Sequence, residues 1–167
     1  MRYWLMKSEP DEFSIDDLAR AVRQTTAWFG VRNYQARNFM RDEMRPGDRV
    51  LFYHSSCAEP GIAGIAEVVS QAHPDATQFD RKSPYFDPKA TRVAPRWVSV
   101  DVKYVRKSRV IGLPELRRHR ELADMRVLAR GNRLSITPVR PGQWAFITTK
   151  LLGPAPSRPR TAPGVNP

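Results

Sequence analysis

Residues suited to holding a planar heterocycle recur in short runs along this sequence. They are Trp4, Lys7, Ser8 and Glu9; residues 28–35 (WFGVRNYQ), with Trp28, Asn33 and Tyr34; Tyr53, His54 and Ser55; Trp97; and residues 133–135 (RLS), with Arg133 and Ser135. Aromatic rings stack on the face of a base, while amide, hydroxyl and carboxylate groups bond to its edge. Stacking contributes roughly 1–3 kcal/mol per base, comparable with the few kcal/mol that unstacking costs. One or two rings therefore decide whether a base leaves its stack. Other chemistries find less support. The sequence has no GxxxxGK[ST] loop, no GxGxxG, no HExxH and no GxSxG. His54, His73 and His119 are far apart and lack ligand spacing, so neither a metal nor a cofactor is expected.

Several residues also have a plainer reading. Trp4 and Trp144 lie inside apolar runs, which assigns them to the core. Trp28, beside Gly30 and Asn33, is in a segment polar enough to be a loop, where packing and binding are both open. Lys7 and Glu9, two residues apart on one strand face, form a surface ion pair by composition alone. Arg37, Arg41 and Arg45 are spaced by four along one helical face, as a solvated stripe or a phosphate track would be.

The elements that must position these groups follow from the pattern of apolar and turn residues. Residues 3–6 are a short apolar run stopped by Pro10, which predicts a buried strand ending at Lys7, Ser8 and Glu9. Ser14 followed by Asp16 and Asp17 predicts the capped start of a short helix, and a second helix is predicted over 34–43. Turn chemistry at 45–48 leads into a strand over 50–53, and 62–69 reads as a strand with a bulge or close approach at Gly64. Alternation over 97–105 predicts a half-buried strand. Four X-Pro steps between 71 and 95 exclude a long helix and leave an ordered excursion or a flexible flap. Short helices are predicted at 113–118 and 121–129, and a last strand at 144–148. Without regular βαβ alternation the class is α+β, a mixed antiparallel sheet or small barrel decorated with helices.

The 167 residues suit one core, and 41% hydrophobic with 27% charged residues is a globular balance. The unusual quantity is charge. Twenty-eight Lys and Arg against 17 Asp and Glu give a formal +11 and a pI near 10.5, a surface that attracts polyanions. A lone cysteine, Cys57, excludes an intrachain disulfide and fits a reducing compartment. With no apolar run of membrane-spanning length and too short an apolar start for a signal peptide, the expectation is a soluble, cytoplasmic or nuclear protein without a membrane partner. From residue 153 onward the chain is Pro-rich, basic and poor in bulky apolar residues, which predicts a disordered tail after a domain of residues 1–152.

The ordered series YWLMKSEP, WFGVRNYQARNFMR, GDRVLFYHSS, GIAGIAEVV, YFDPK, PRWVSVDV and RLSITPV resembles the EVE domain family of the PUA-like superfamily, from residue 3 to about 151. The resemblance implies a PUA-like β-barrel of mixed and antiparallel strands flanked by short helices. It also implies a non-catalytic pocket for a flipped, modified base, such as a modified cytosine in DNA or RNA. Carried onto this chain, the pocket comprises Lys7, Ser8, Glu9, Trp28, Asn33, Tyr34, Tyr53, His54, Ser55, Trp97, Arg133 and Ser135, with Arg32, Arg37 and Arg41 toward phosphates. In that assignment Trp28 or Trp97 stacks on the base, Asn33 with Ser8 or Glu9 reads its edge, and Arg37 with Arg133 holds flanking phosphates. The same superfamily holds ASCH-type amidohydrolases that deacylate a modified cytidine with Lys, Thr and Glu, for which Lys7 and Glu9 are candidates, and PUA-type modules that bind structured RNA. No Thr in the Lys7 motif completes the first set. The resemblance leaves out the tail after Leu152 and the arginine-rich stretch at Arg117, Arg118 and Arg120, either of which would add non-specific affinity for phosphates.

Overall fold

The computed structural model describes residues 1–153, so all but the first residue of the expected tail lies outside the described residues. Strand β1 (Tyr3–Ser8) is the apolar opening run. Ser14 then caps α1 (Ile15–Arg20) reciprocally: its hydroxyl accepts from the Asp17 N–H, and the Asp17 carboxylate accepts from the Ser14 N–H. After edge strand β2 (Thr25–Ala27), Asn33 caps α2 (Tyr34–Asn38), which widens into a π turn at Phe39–Glu43. Strands β3 (Arg49–His54) and β4 (Gly61–Val68) follow, then the two-residue β5 (His73–Pro74). The chain continues through β6 (Val98–Ser99), β7 (Asp101–Gly112), α3 (Leu113–Leu116), β8 (Ile136–Val139) and α4 (Pro141–Phe146).

Six strands form one sheet in the order β2-β7-β4-β3-β1-β8, with β1 and β3 parallel and the other neighbours antiparallel. Side chains alternate across it. Trp4, Met6, Val50 and Phe52 pack on one face with Ile15 and Leu18 of α1 and Met40, while Leu5, Leu51 and Tyr53 face Leu116, Leu122 and Ile147. A register shift opposite Phe52/Tyr53 lets β4 place both Ile62 and Ile65 on this second face, with Ala63 and Ala66 on the first. The α+β class and mixed sheet are as expected. Strands β2 and β8 stand at the two edges and no ladder joins them among the described residues, so closure into a barrel rests on the resemblance and not on hydrogen bonding.

Three sequence expectations are corrected. Residues 144–148 are helical, in α4 and a following π turn (Ile147–Leu151). Pro141 at the start and Gln143, whose Oε1 accepts from the Arg140 N–H, nucleate that helix, and Ile147 and Leu151 at helical spacing bury its inner face. The helix expected at 121–129 is two 3₁₀ turns, Arg120–Leu122 and Arg126–Leu128, broken where Met125 becomes extended while its side chain is buried in the core. The strand expected at 97–105 divides at Val100: β6 pairs with β5, and β7 continues to Gly112.

The excursion at 71–95 is ordered around two buried polar residues. Gln78 satisfies its whole amide, donating to the carbonyls of Asp75 and Trp97 and accepting from the N–H groups of Arg96 and Trp97 at 2.8–3.0 Å. No helix among the described residues is long and apolar enough to cross a membrane.

Gly64 is the close approach that the sequence suggested. A Cβ there would lie 2.4 Å from the Arg106 carbonyl oxygen and 3.0 Å from Ile15 Cγ1. Gly64→Ala is expected to destabilise the fold by about 1–3 kcal/mol, seen as a lower urea midpoint at unchanged m-value.

Candidate functional site

Parallel pairing fixes where the polar runs meet. Because β1 and β3 run the same way in register, with Ser8 opposite His54, both carboxyl ends arrive together, and the Ser55 N–H donates to the Ser8 carbonyl at 3.0 Å. β8 enters antiparallel on the other side of β1, where the Lys7 N–H donates to the Ser135 carbonyl at 2.8 Å. The exit of β2 is fixed separately, where the Trp28 N–H donates to the Val100 carbonyl at 2.8 Å, and the residues that follow reach the same place. A cavity of about 360 Å³ opens at this end of the sheet, within the roughly 300–1,000 Å³ of small-molecule sites.

Its lining draws Lys7, Ser8 and Glu9 from β1 and the turn after it, Trp28 and Arg32 from the β2 exit, Ser55 from the end of β3, and Arg133 and Ser135 from the approach to β8. Sequence reasoning had no signal for Glu12, Phe13 and Thr26, which also line it. Phe29 and Tyr85 lay within quoted motifs, but nothing in the spacing indicated that Tyr85 reaches a site 55 residues upstream, beside Gly30.

Other candidates stand outside the lining. The Asn33 side-chain oxygen is engaged as the cap of α2, accepting from the Ala36 N–H at 3.0 Å. Trp97 is 6% exposed; its indole N–H donates to Asp87 at 2.8 Å, and its ring stacks with Tyr34 at 4.9 Å. Tyr34 is 52% exposed, and the Arg37 guanidinium lies 4.6 Å from its ring centre. Arg37 also donates to the Arg96 carbonyl, and Arg41 pairs with Asp42. Tyr53 packs in the second-face core, with the Lys7 ammonium 5.8 Å from its ring centre. His54 Nε2 accepts from the Ile15 N–H at 3.1 Å, which ties α1 to β3. Burial holds the His54 pKa below its ordinary value and so preserves that acceptor.

Charge in the cavity is uneven. Lys7 and Glu9 do not form the expected ion pair; both side chains border the cavity, and burial pushes the Lys7 pKa down. Tyr85 donates to the Glu12 carboxylate across the rim, and burial together with that bond raises its pKa to about 12. The ring passes directly over Gly30, where a Cβ would meet it at 2.8 Å and where φ is +82°. Only glycine fits there.

Asp75 fastens this wall. Its buried carboxylate accepts from the Gly30 N–H at 2.8 Å, from Arg32 at 3.0 Å and from both the N–H and the hydroxyl of Thr77. Arg32 in turn donates to the Tyr85 carbonyl and lies 5.3 Å from the Trp97 ring centre. Among the described residues no His, Cys, Asp and Glu group could hold a metal ion.

The EVE domain model matches residues 2–150. The chain belongs to the EVE domain family. Human thymocyte nuclear protein 1 is 44% identical over 163 residues, covering 87% of this EVE domain chain and 72% of the human protein. A crystal structure of human THYN1 in complex with 5-methylcytosine-containing DNA has a TM-score of 0.83 at 44% identity, covering 88% and 95% of the two chains. A Leishmania major protein reaches a TM-score of 0.84 at 52% identity, over 89% of this chain and 92% of its own. An ASCH protein from Zymomonas mobilis, at 11% identity and a TM-score of 0.54, shares the fold alone.

Burial works to raise the Asp75 pKa, but the bonds from Thr77, Gly30 and Arg32 outweigh it and hold the carboxyl below its ordinary value. A depressed folded pKa gives stability that is present above the unfolded value, near 4, and lost as pH falls through the folded one. Asp75→Ala is expected to cost about 3 kcal/mol at neutral pH, since it leaves Arg32 without its buried partner, and to flatten the acid limb of the stability profile. Chemical denaturation at pH 7 and pH 3 measures both.

Proposed function

We propose that this EVE domain is a reader of nucleic acid, chiefly DNA, in which a modified base such as a modified cytosine turns out of its stack into the cavity at the carboxyl ends of β1 and β3. The observation that carries the reading is an aromatic wall beside polar strand ends in one cavity of base-accommodating size. That the human relative was crystallised with 5-methylcytosine-containing DNA supports it.

Roles follow from what each group has left to offer. Phe29, 39% exposed and edge-on to Tyr85 at 6.0 Å, offers a ring face to the base, with Trp28 beside it as a fixed wall. The Ser8 hydroxyl donates to the Phe13 carbonyl at 2.6 Å, so toward a ligand it accepts, as does the Glu9 carboxylate. An exocyclic amine of cytosine suits both. Lys7 and Arg133 supply donors and positive charge, and edge reading passes from Asn33, whose amide oxygen is engaged, to Ser8 and Glu9.

A second reading has one observation in its favour. Thr26 lines the same cavity as Lys7 and Glu9, so a Thr absent from the Lys7 motif is supplied by β2, as an amidohydrolase acting on an acylated cytidine would need. Turnover of N4-acetylcytidine that is lost in Lys7→Met would establish that reading.

The reader is tested by equilibrium binding to matched oligonucleotides with and without 5-methylcytosine, as DNA and as RNA, at two salt concentrations. Phe29→Ala is expected to weaken binding of the modified oligonucleotide by roughly 5- to 150-fold, the worth of one stacked base, and to erase the preference over the unmodified one. Trp28→Ala is a poorer probe. That ring packs edge-on against Phe52 at 5.4 Å in the core, and its loss costs about 3–5 kcal/mol of stability. Equal affinity for modified and unmodified strands in the wild type would sink the proposal.

A further inference from the structure

Residues 113–133 coil over the second face of the sheet in α3 and two 3₁₀ turns. Every buried side chain in this segment is apolar: Leu116, Leu122, Met125 and Val127 join Tyr53 and Leu5 in one core cluster. The charge on the outward side is mostly arginine. Arg117, Arg118, Arg120, Arg126, Arg130 and Arg133 are all exposed, and none forms an ion pair among the described residues.

The same 21 residues hold three acids, Glu115, Glu121 and Asp124. Two of them are engaged by arginines from outside the segment, Glu115 by Arg109 and Asp124 by Arg140. Six guanidinium groups thus face solvent against one unpaired carboxylate. An ordinary solvated surface mixes its charges, whereas this one has its acids drawn off to the sides.

The surface begins at the cavity. Arg133 is part of the lining, and the loop before it is folded back, since the Asn132 amide donates to the Arg126 carbonyl at 2.7 Å. At the other end of the segment Arg117 is within electrostatic reach of the Tyr53 hydroxyl. Burial and Cys57 raise that phenol's pKa and Arg117 opposes them. Tyr53 is paired in register with Lys7 of the cavity.

We propose that this arginine face is a phosphate track, which holds the backbone of the strand whose base enters the cavity and carries it away past Arg133. The inference rests on the base-reading proposal for its direction, but the track itself requires only a polyphosphate backbone. Arginine suits the task because its planar fork engages phosphate oxygens in pairs and never loses its charge. Contacts of this kind set affinity and register without reading sequence.

The test compares wild type with two variants of equal charge loss, R117Q/R118Q/R120Q on the track and R81Q/K82Q/K89Q on the excursion, using oligonucleotides with and without 5-methylcytosine. All six positions are exposed, so the substitutions are expected to leave the fold intact, which urea melting checks before binding. The track variant is expected to bind both oligonucleotides more weakly by the same factor, leaving their ratio unchanged. Its plot of log K against log salt should become shallower by roughly 0.7–0.9 per phosphate contact removed, while the excursion variant keeps the wild-type slope. An unchanged slope in the track variant, or an equal loss in both variants, which would assign the effect to net charge, overturns the track. A wild type without preference for the modified base removes the base reading and leaves the track standing or falling on its own slope.

Discussion

Two strands that run the same way finish at the same place, and the site depends on that constraint. Parallel pairing of β1 with β3 needs a long connection, and here the connection carries α1, β2 and α2. The segment spent on returning the chain is the one that supplies Trp28, Phe29 and Arg32 to the cavity. An antiparallel hairpin in this position would send the two polar strand ends to opposite ends of the sheet. Once the pair is set, β8 beside β1 and β4 beside β3 extend the sheet outward without disturbing its central end.

Rigidity around the cavity comes from a few buried polar groups whose bonds are complete. Asp75 and Gln78 together join the β2 exit, the excursion and the start of β6, and each is almost wholly buried. In a low-dielectric interior such groups are costly if unpaired and strongly orienting if paired. Aromatic walls that are already held in place lose little entropy when a ligand arrives, so more of the stacking energy is available for binding.

The sequence was informative wherever a local pattern decides a local structure. Ser14 with Asp17 marks the start of α1, Pro10 ends the first strand run, and Gly64 marks a backbone approach, all through chemistry confined to a few residues. It was less informative where tertiary packing overrides propensity. Phe146, Ile147, Thr148 and Thr149 favour a strand by type, yet the proline and glutamine ahead of them start a helix whose apolar side chains the sheet can bury. At the site, the runs at strand ends were visible because polar residues directly after apolar ones are conspicuous. The aromatic candidates were harder to sort, since Trp97 and Phe29 look alike in sequence and only the fold turns one toward Asp87 and the other toward the cavity.

The contact of Tyr85 with Gly30 makes one wall of the cavity an exchangeable part. The excursion that delivers Tyr85 is anchored through Asp75 and Gln78, neither of which lines the cavity. The wall's side chain and its fastening are therefore inherited separately. Changes at Tyr85 alter the shape offered to a ligand while the anchor stays intact, whereas glycine at position 30 is held in place by both its backbone conformation and the ring above it. Diversification of a pocket by this route needs no redesign of the sheet, only a new residue at the tip of a segment that is already tied down.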